Sequence, residues 1–372
     1  MLQPAIILGL GPSGLFLTRQ LAKTQSTIYG IARYDDVGIF SKHIAKDKRF
    51  YADDAESVLR VLHIIAEQTE TRPLIYVCSD QYLTLILTIR KEVSSVADLW
   101  GASFDTLALI NDKAKLDTYC KESGIKIPGT YSYVDFLKLE KKRFPVILKW
   151  TEKELNTRKN PVGKVRVCRN AFEFNEADAE VRSAGLEEKL FVQDYISGTN
   201  AAQYSVGGVF KDGSPLAAVC VWQPRQYPQG ISARVVSEES PIAERLQDLS
   251  FAFATKLGFS GFLEMEYKID TATDDIFLLD INPRPWGWVS HLAGAFPDFY
   301  KVLLGQSPEM GPLPTIWTSP LRNLLSFRNK QNATMVLNED IVYRRAYDIR
   351  DSKDSAPSWH IYLMALKKLL KR

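Results

Sequence analysis

Apolar residues in this chain alternate between short unbroken runs and helically spaced sets. Residues 5–8 form a continuous apolar run, as expected of a strand buried on both faces. A helical pattern follows through Leu15, Leu17 and Leu21. Residues 27–32 and 74–78 read as further strands. Residues 55–67 read as a helix with Val58, Leu59, Leu62 and Ile65 on one face, and residues 80–91 as another. Strands alternating with helices predict a parallel α/β layer over residues 1–105.

Beyond that layer the order changes. A helix from Lys113 is expected to stop at Gly124, with a second over 134–142. Strands are predicted at 145–150 and 165–168, separated by a polar, basic stretch at 152–164 that reads as a mobile loop. A helix at 171–184 completes a unit spanning 106–190. Residues 191–335 read as mainly antiparallel. Strands at 190–196, 203–210 and 216–222 precede a helix at 241–258 and strands at 261–269 and 276–281. The turn Lys211-Asp212-Gly213 joins the second and third of these strands. A helical segment at 288–304 breaks near Pro297. The last unit, 336–372, carries an amphipathic helix at 358–372 with a basic end.

Composition narrows the class of protein. A chain of 372 residues with 45% hydrophobic and 24% charged residues has material for two or three packed domains. Its net charge of +3 gives no reason to expect a nucleic-acid partner. Cys78, Cys120, Cys168 and Cys220 are far apart with no CxxC pair, which favours reduced thiols. The histidines are as scattered, so a histidine-based zinc site is not indicated. No basic, cleavable leader opens the chain and no apolar run approaches the ~20 residues that span a bilayer. A cytoplasmic protein without stable membrane insertion is expected.

The chemistry concentrates between residues 264 and 284. Glu264 and Glu266 are two apart on one predicted strand and share a face. The next strand delivers Asp280 and Asn282, followed by Pro283 and Arg284. If the two strands pair, Glu266, Asp280 and Asn282 converge on a hard, all-oxygen site. Such a site leaves positions for water and phosphate oxygens, the usual way magnesium is held on a nucleotide. Arg284 could then fork onto a phosphate or a carboxylate.

Glu264-Met265-Glu266-Tyr267, followed by Leu279-Asp280-Ile281-Asn282-Pro283-Arg284, resembles the signature of the ATP-grasp superfamily. Other segments resemble it in the expected order. Asp112-Lys113 and Phe144 to Lys149 match the nucleotide clamp, and Asn160 to Val165, with Gly163 and Lys164, the loop over the phosphates. Val192-Gln193-Asp194-Tyr195-Ile196-Ser197-Gly198 matches the hinge that reads adenine.

The resemblance implies a Rossmann-like domain followed by a two-lobed α+β ATP-grasp fold. It implies ATP bound by Lys113, Lys149, Gly163, Gln193, Asp194, Tyr195, Ile196 and Gln203. Magnesium, or manganese in its place, would sit on Glu266, Asp280 and Asn282. Arg284, Arg225, Arg234 and Lys164 would neutralise charge during phosphoryl transfer. The implied reaction joins a small-molecule carboxylate to an amine through an acyl phosphate, releasing ADP and phosphate. Two positions depart from the pattern: Asp280 stands where Glu is usual, and Gln203 near where an acidic residue contacts ribose.

Gly9-x-Gly11-x-x-Gly14, after a strand and before a helix, also fits a dinucleotide fingerprint. A nicotinamide-dependent oxidoreductase is therefore one alternative. A catalytically silent ATP-binding scaffold is another. Within the resemblance, the turn instead receives an anionic substrate at Gly11 and Ser13, with Trp286 and Gly287 walling the acceptor pocket. Ser41-Lys42 and Ser79-Asp80 resemble the N-terminal domain of the branch holding D-aspartate ligase and carboligases of surface-polysaccharide loci. The C-terminal helix reads as a docking element or homodimer contact.

Overall fold

A computed structural model describes residues 3–151, 162, 165–311, 315–330, 332, 334 and 344–370. The loop predicted at 152–164, with Gly163 and Lys164, lies outside the described residues except for Val162.

The N-terminal layer is a parallel sheet of β1 (Ala5–Leu8), β2 (Ile28–Ala32), β3 (Arg49–Tyr51), β4 (Leu74–Val77) and β5 (Asp98–Leu99), in the order β3-β2-β1-β4-β5. β1 is buried along its whole length, as its unbroken apolar run requires. The helix Ala55–Glu67 matches its predicted limits and starts with a capping box in which Asp54 accepts the Ser57 N–H. The helix predicted at 80–91 is two, Asp80–Thr88 and Arg90–Val96. Ile89 leaves helical geometry between them, with φ −115° and ψ 30°. A further helix, Phe104–Asn111, was not anticipated; Ser103 caps it at the Thr106 N–H.

A four-stranded antiparallel sheet follows. It contains β6 (Thr130–Ser132), β7 (Val146–Trp150), β8 (Val165–Cys168) and β9 (Leu190–Asp194), ordered β6-β9-β7-β8. The third sheet holds β10 (Gln203–Lys211), β11 (Ser214–Gln226), β12 (Ser232–Ser237), β13 (Gly261–Ile269), β14 (Ile276–Asn282), β15 (Thr315–Thr318) and β16 (Arg344–Tyr347). Its order is β14-β13-β10-β11-β12-β15-β16, antiparallel except for β15 with β16.

The first and third sheets share one hydrophobic core. Ile7, Leu10 and Phe16 belong to the same buried cluster as Val219, Phe262, Trp286 and Trp317. Phe16 meets Phe299 with ring centroids 5.4 Å apart, and Trp100 meets Phe262 at 5.3 Å. Gly101 and Gly261 allow the closest approach. Both have positive φ, and a Cβ on Gly101 would lie 2.9 Å from the Gly261 Cα.

The C-terminal segment folds back on the first sheet's layer. Asp354 accepts from Arg19 Nε at 3.0 Å, Ser41 Oγ at 2.8 Å and the Lys42 N–H at 3.0 Å. The terminal helix Ala356–Leu370 stacks His360 on Phe40 at 3.6 Å. Trp359, Tyr362 and Leu363 on the same helix are exposed. None of the described helices is long and apolar enough to cross a membrane.

Candidate active site

The β13–β14 strands pair as expected, and Glu266 faces Asp280 while Glu264 faces Asn282. Directly opposed side chains in such a ladder lie about 5 Å apart at Cβ, so the strands alone bring the two carboxylates and the amide together. Among the described residues no three His, Cys, Asp or Glu side chains cluster closely enough to hold a metal. Two carboxylates completed by an amide oxygen are the donor set here, and that hard oxygen chemistry suits magnesium.

Glu264 turns inward and ties the hairpin to the core. It is 3% exposed, and accepts from Trp288 Nε1 at 2.6 Å and Asn282 Nδ2 at 2.9 Å. Burial raises its pKa and the Glu266 charge adds to the effect, while Arg284, Asn282 and Trp288 oppose it. With Nδ2 committed to Glu264, Asn282 turns Oδ1 to Arg284, whose Nη2 donates at 3.2 Å.

Arg284 forks onto Asp80. Its Nε and Nη2 donate to the two Asp80 oxygens at 2.8 and 2.5 Å, and Nη1 donates to the Pro285 carbonyl at 3.0 Å. Burial depresses the guanidinium pKa, but Asp80, Glu264 and Asp280 outweigh it and leave the value raised. Asp80 opens the helix Asp80–Thr88, which Ser79 caps at the Tyr82 N–H. An arginine expected to wait for a phosphate is thus held by an acid 204 residues away in sequence.

The facing wall comes from the four-stranded sheet. Lys149 and Gln193 lie on neighbouring antiparallel strands, and Lys149 Nζ donates to Gln193 Oε1 at 2.6 Å. Gln193 Nε2 donates to Thr130 Oγ1 at 3.2 Å. Lys113 donates to the Trp150 carbonyl at 2.6 Å and sits 4.3 Å over the Phe191 ring. At the hinge, the Asp194 and Tyr195 N–H groups are taken by the Gly129 and Pro145 carbonyls. Burial raises the Asp194 pKa.

A single cleft of about 770 Å³ runs between the walls. It is lined by Lys113, Lys149, Gln193, Asp194, Tyr195, Ile196 and Gln203 on the predicted nucleotide side. Glu266, Asp280, Asn282, Arg284, Trp286 and Gly287 line the other end. Trp286 and Trp288 are 1% exposed and pack edge-on at 5.0 Å, so they are core residues that also border the cleft. Gly207 makes room for them, because a Cβ there would come within 2.3 Å of the Trp286 ring.

Four predicted residues are elsewhere. Arg225 and Arg234 do not lie in a turn; they are cross-strand partners on β11 and β12. Arg225 donates to Asn323 Oδ1 at 3.2 Å and covers the Phe327 ring at 4.4 Å. Burial, with Arg225 and Arg345 nearby, lowers the Arg234 pKa, and its Nε donates to Thr318 Oγ1 at 3.4 Å. Gly11 and Ser13 also fall outside the cleft lining. Ser13 is buried and donates to the Cys78 carbonyl at 3.1 Å. The Asp36 carboxylate accepts the Leu10 N–H at 3.0 Å, placing the chain's own anion at the glycine turn where a dinucleotide pyrophosphate would need room.

The cleft lining also includes Asp80, Lys268 and Arg322, which carry no ligand role in the sequence reading. Lys268 had a signal, because it continues the two-residue period of Glu264 and Glu266 on one strand. Asp80 and Arg322 come from distant segments and carry no local signal.

No protein-family profile matches the chain. Over 241 residues it is 22% identical to D-aspartate ligase of Enterococcus faecium, a match covering 62% of this chain and 57% of that ligase. The chain therefore spans little more than half the length of that relative. The L-amino acid ligase of Bacillus licheniformis superposes with a TM-score of 0.61 at 13% identity, covering 83% of this chain and 75% of the other. Carboxyaminoimidazole ribonucleotide synthase of Aspergillus clavatus, solved with ATP, gives 0.65 at 14% identity, covering 89% and 91%. These likenesses establish the expected architecture, a mixed α/β chain with the ATP-grasp fold.

Proposed function

We propose that this ATP-grasp chain is an ATP-dependent ligase that joins a carboxylate to an amine, releasing ADP and phosphate. One observation carries the reading: Glu266, Asp280 and Asn282 share a cleft with Lys149 and Gln193. One wall offers ammonium and amide donors, the other a hard oxygen set.

ATP would lie with its base at the hinge Gln193–Ile196 and its phosphates toward Glu266 and Asp280. Magnesium, or manganese, on Glu266, Asp280 and Asn282 would neutralise phosphate charge. Lys113 and Lys149 would hold the phosphates, with Lys164 assigned to the covering loop by its sequence motif. Phosphoryl transfer demands positioning and charge neutralisation more than covalent help. Arg284 stays clamped by Asp80 and presents a fixed positive charge at the acyl end. Arg322 lines the same end, so a small acid with its own negative charge suits it. The likeness to D-aspartate ligase and L-amino acid ligase supports an amino acid as that acid. Arg225 and Arg234, set back on β11 and β12, would act through the field they create.

The test is ADP release with magnesium and ATP across a panel of amino acids and amines. Turnover is expected for at least one pair and is expected to vanish in Asp280→Ala and Asn282→Ala with the fold intact. Normal turnover in either variant would remove the metal assignment. Bound ATP with no turnover across a broad panel would favour a silent nucleotide-binding protein. Tight binding of NAD(P)H in place of ATP would favour the oxidoreductase, which Asp36 at the glycine turn already argues against.

A further inference from the structure

Lys268 brings a cation into the cleft. It sits on β13 two residues beyond Glu266 and lines the cleft beside Tyr195 and Ile196. Its Nζ lies 4.5 Å over the Tyr195 ring. It makes no hydrogen bond and no ion pair with any described residue. Of the two acids two residues away, Glu266 belongs to the proposed metal set, while Asp270 favours the ammonium through space and has its Oδ1 taken by Ser197 Oγ at 2.5 Å and the Ala272 N–H at 2.8 Å. Directly across the ladder stands Gln203, a neutral amide that is itself buried. Burial lowers the Lys268 pKa to about 8, with Asp270 opposing the shift, so an anion in the cleft would stabilise the ammonium further.

Its location identifies the charge. Two residues along a strand span about 6.7 Å, so Lys268 lies that far from Glu266 toward the hinge, close to the span of a triphosphate chain. A nucleotide running from the hinge to the Glu266–Asp280 pair passes its first phosphate here, with the later phosphates near the carboxylates. Resting on the nucleotide orientation proposed above, we infer that Lys268 binds the α-phosphate of the nucleotide. Its stem runs past Tyr195, and its ammonium occupies the side of the strand that Gln203 leaves uncharged. Binding at this position would not depend on the metal, which serves the later phosphates.

The inference is tested by titrating adenosine, AMP, ADP and ATP into the wild-type chain and into Lys268→Met and Lys268→Arg by calorimetry, without added metal. An ammonium–phosphate hydrogen bond corresponds to about a 10- to 100-fold change in affinity. AMP, ADP and ATP are each expected to lose that factor in Lys268→Met, while adenosine changes less than about twofold and Lys268→Arg keeps most of the affinity. Equal losses for adenosine and AMP would overturn the inference and make Lys268 a packing partner of Tyr195. Losses confined to ADP and ATP would overturn it in favour of a later phosphate. Full retention of all four affinities would also overturn it. A wild-type chain that binds none of the four fails earlier, at the nucleotide reading itself, and takes this inference with it.

Discussion

Asp80→Asn should loosen the cleft from behind. The substitution keeps the shape of the side chain but removes the charge opposite Arg284, where two N–O distances are 2.8 and 2.5 Å. The side chains are 14% exposed for Arg284 and 26% for Asp80, so the pair is screened far less than a surface bridge. At an effective dielectric near 20 and a charge separation of ~4 Å, the attraction is about 4 kcal/mol. Desolvation offsets part of it, and Glu264 and Asp280 still face the guanidinium. A net loss of roughly 2–3 kcal/mol in unfolding free energy is expected, near the lower end for breaking a buried pair. The measurement is a double-mutant cycle in urea with Asp80→Asn, Arg284→Met and the double variant, followed by tryptophan fluorescence near Trp286 and Trp288. A coupling of about 2 kcal/mol at an unchanged denaturant slope is expected. Additive losses, with a coupling below ~0.5 kcal/mol, would show that the fork contributes nothing and refute the reasoning.

Three further outcomes are expected. Lys149→Ala should weaken ATP binding about 10- to 100-fold, the scale of a charge-assisted hydrogen bond; an unchanged affinity by calorimetry would count against the clamp. Gly207→Ala places a methyl 2.3 Å from the Trp286 ring and should cost roughly 1–3 kcal/mol by overpacking; a wild-type melting temperature would mean the tryptophan pair yields freely. Burial lowers the His291 pKa to about 4, below the ~6.5 of an unfolded chain. The folded state therefore disfavours the proton, and stability is full above about pH 6.5 and falls by up to roughly 3 kcal/mol as pH drops toward 4. His291→Gln should flatten that part of the melting-temperature profile, and a profile as steep as the wild type's would remove His291 as the cause.

What the sequence reveals is what strand periodicity and local signals encode. The pairing of β13 with β14 followed from Glu264 and Glu266 standing two apart and from the loop between the strands. The two strands pair and bring Glu266, Asp280 and Asn282 onto one hairpin. The stretch 223–234 carries no strand signal, for a physical reason. Its prolines and glycine signal a turn, yet β11 runs through Pro224 to Gln226. Register shifts on either side of Arg225 place Pro224 where the ladder is irregular. Arg225 and Arg234 thereby become cross-strand partners. The fork of Arg284 onto Asp80 was equally hidden, because Arg284 has no local feature that distinguishes an ion-pair partner from a phosphate. The same holds for Asp36 at the glycine turn, since nothing in Gly9 to Gly14 shows that another segment fills its N–H groups.

The core shared by the first and third sheets bears on how such a chain can be recombined. Phe16 against Phe299, Trp100 against Phe262 and the two glycines in backbone contact make a seam that is read from both sides at once. A chimera that exchanged residues 1–105 for a foreign Rossmann-like unit would have to match an apolar relief as well as the Asp80 carboxylate. The four-stranded sheet draws every strand from residues 130–194 and is the more exchangeable module. The Asp80–Arg284 end of the cleft would then be inherited with the first and third sheets as one unit, while the wall carrying Lys149 and Gln193 could be replaced beside it.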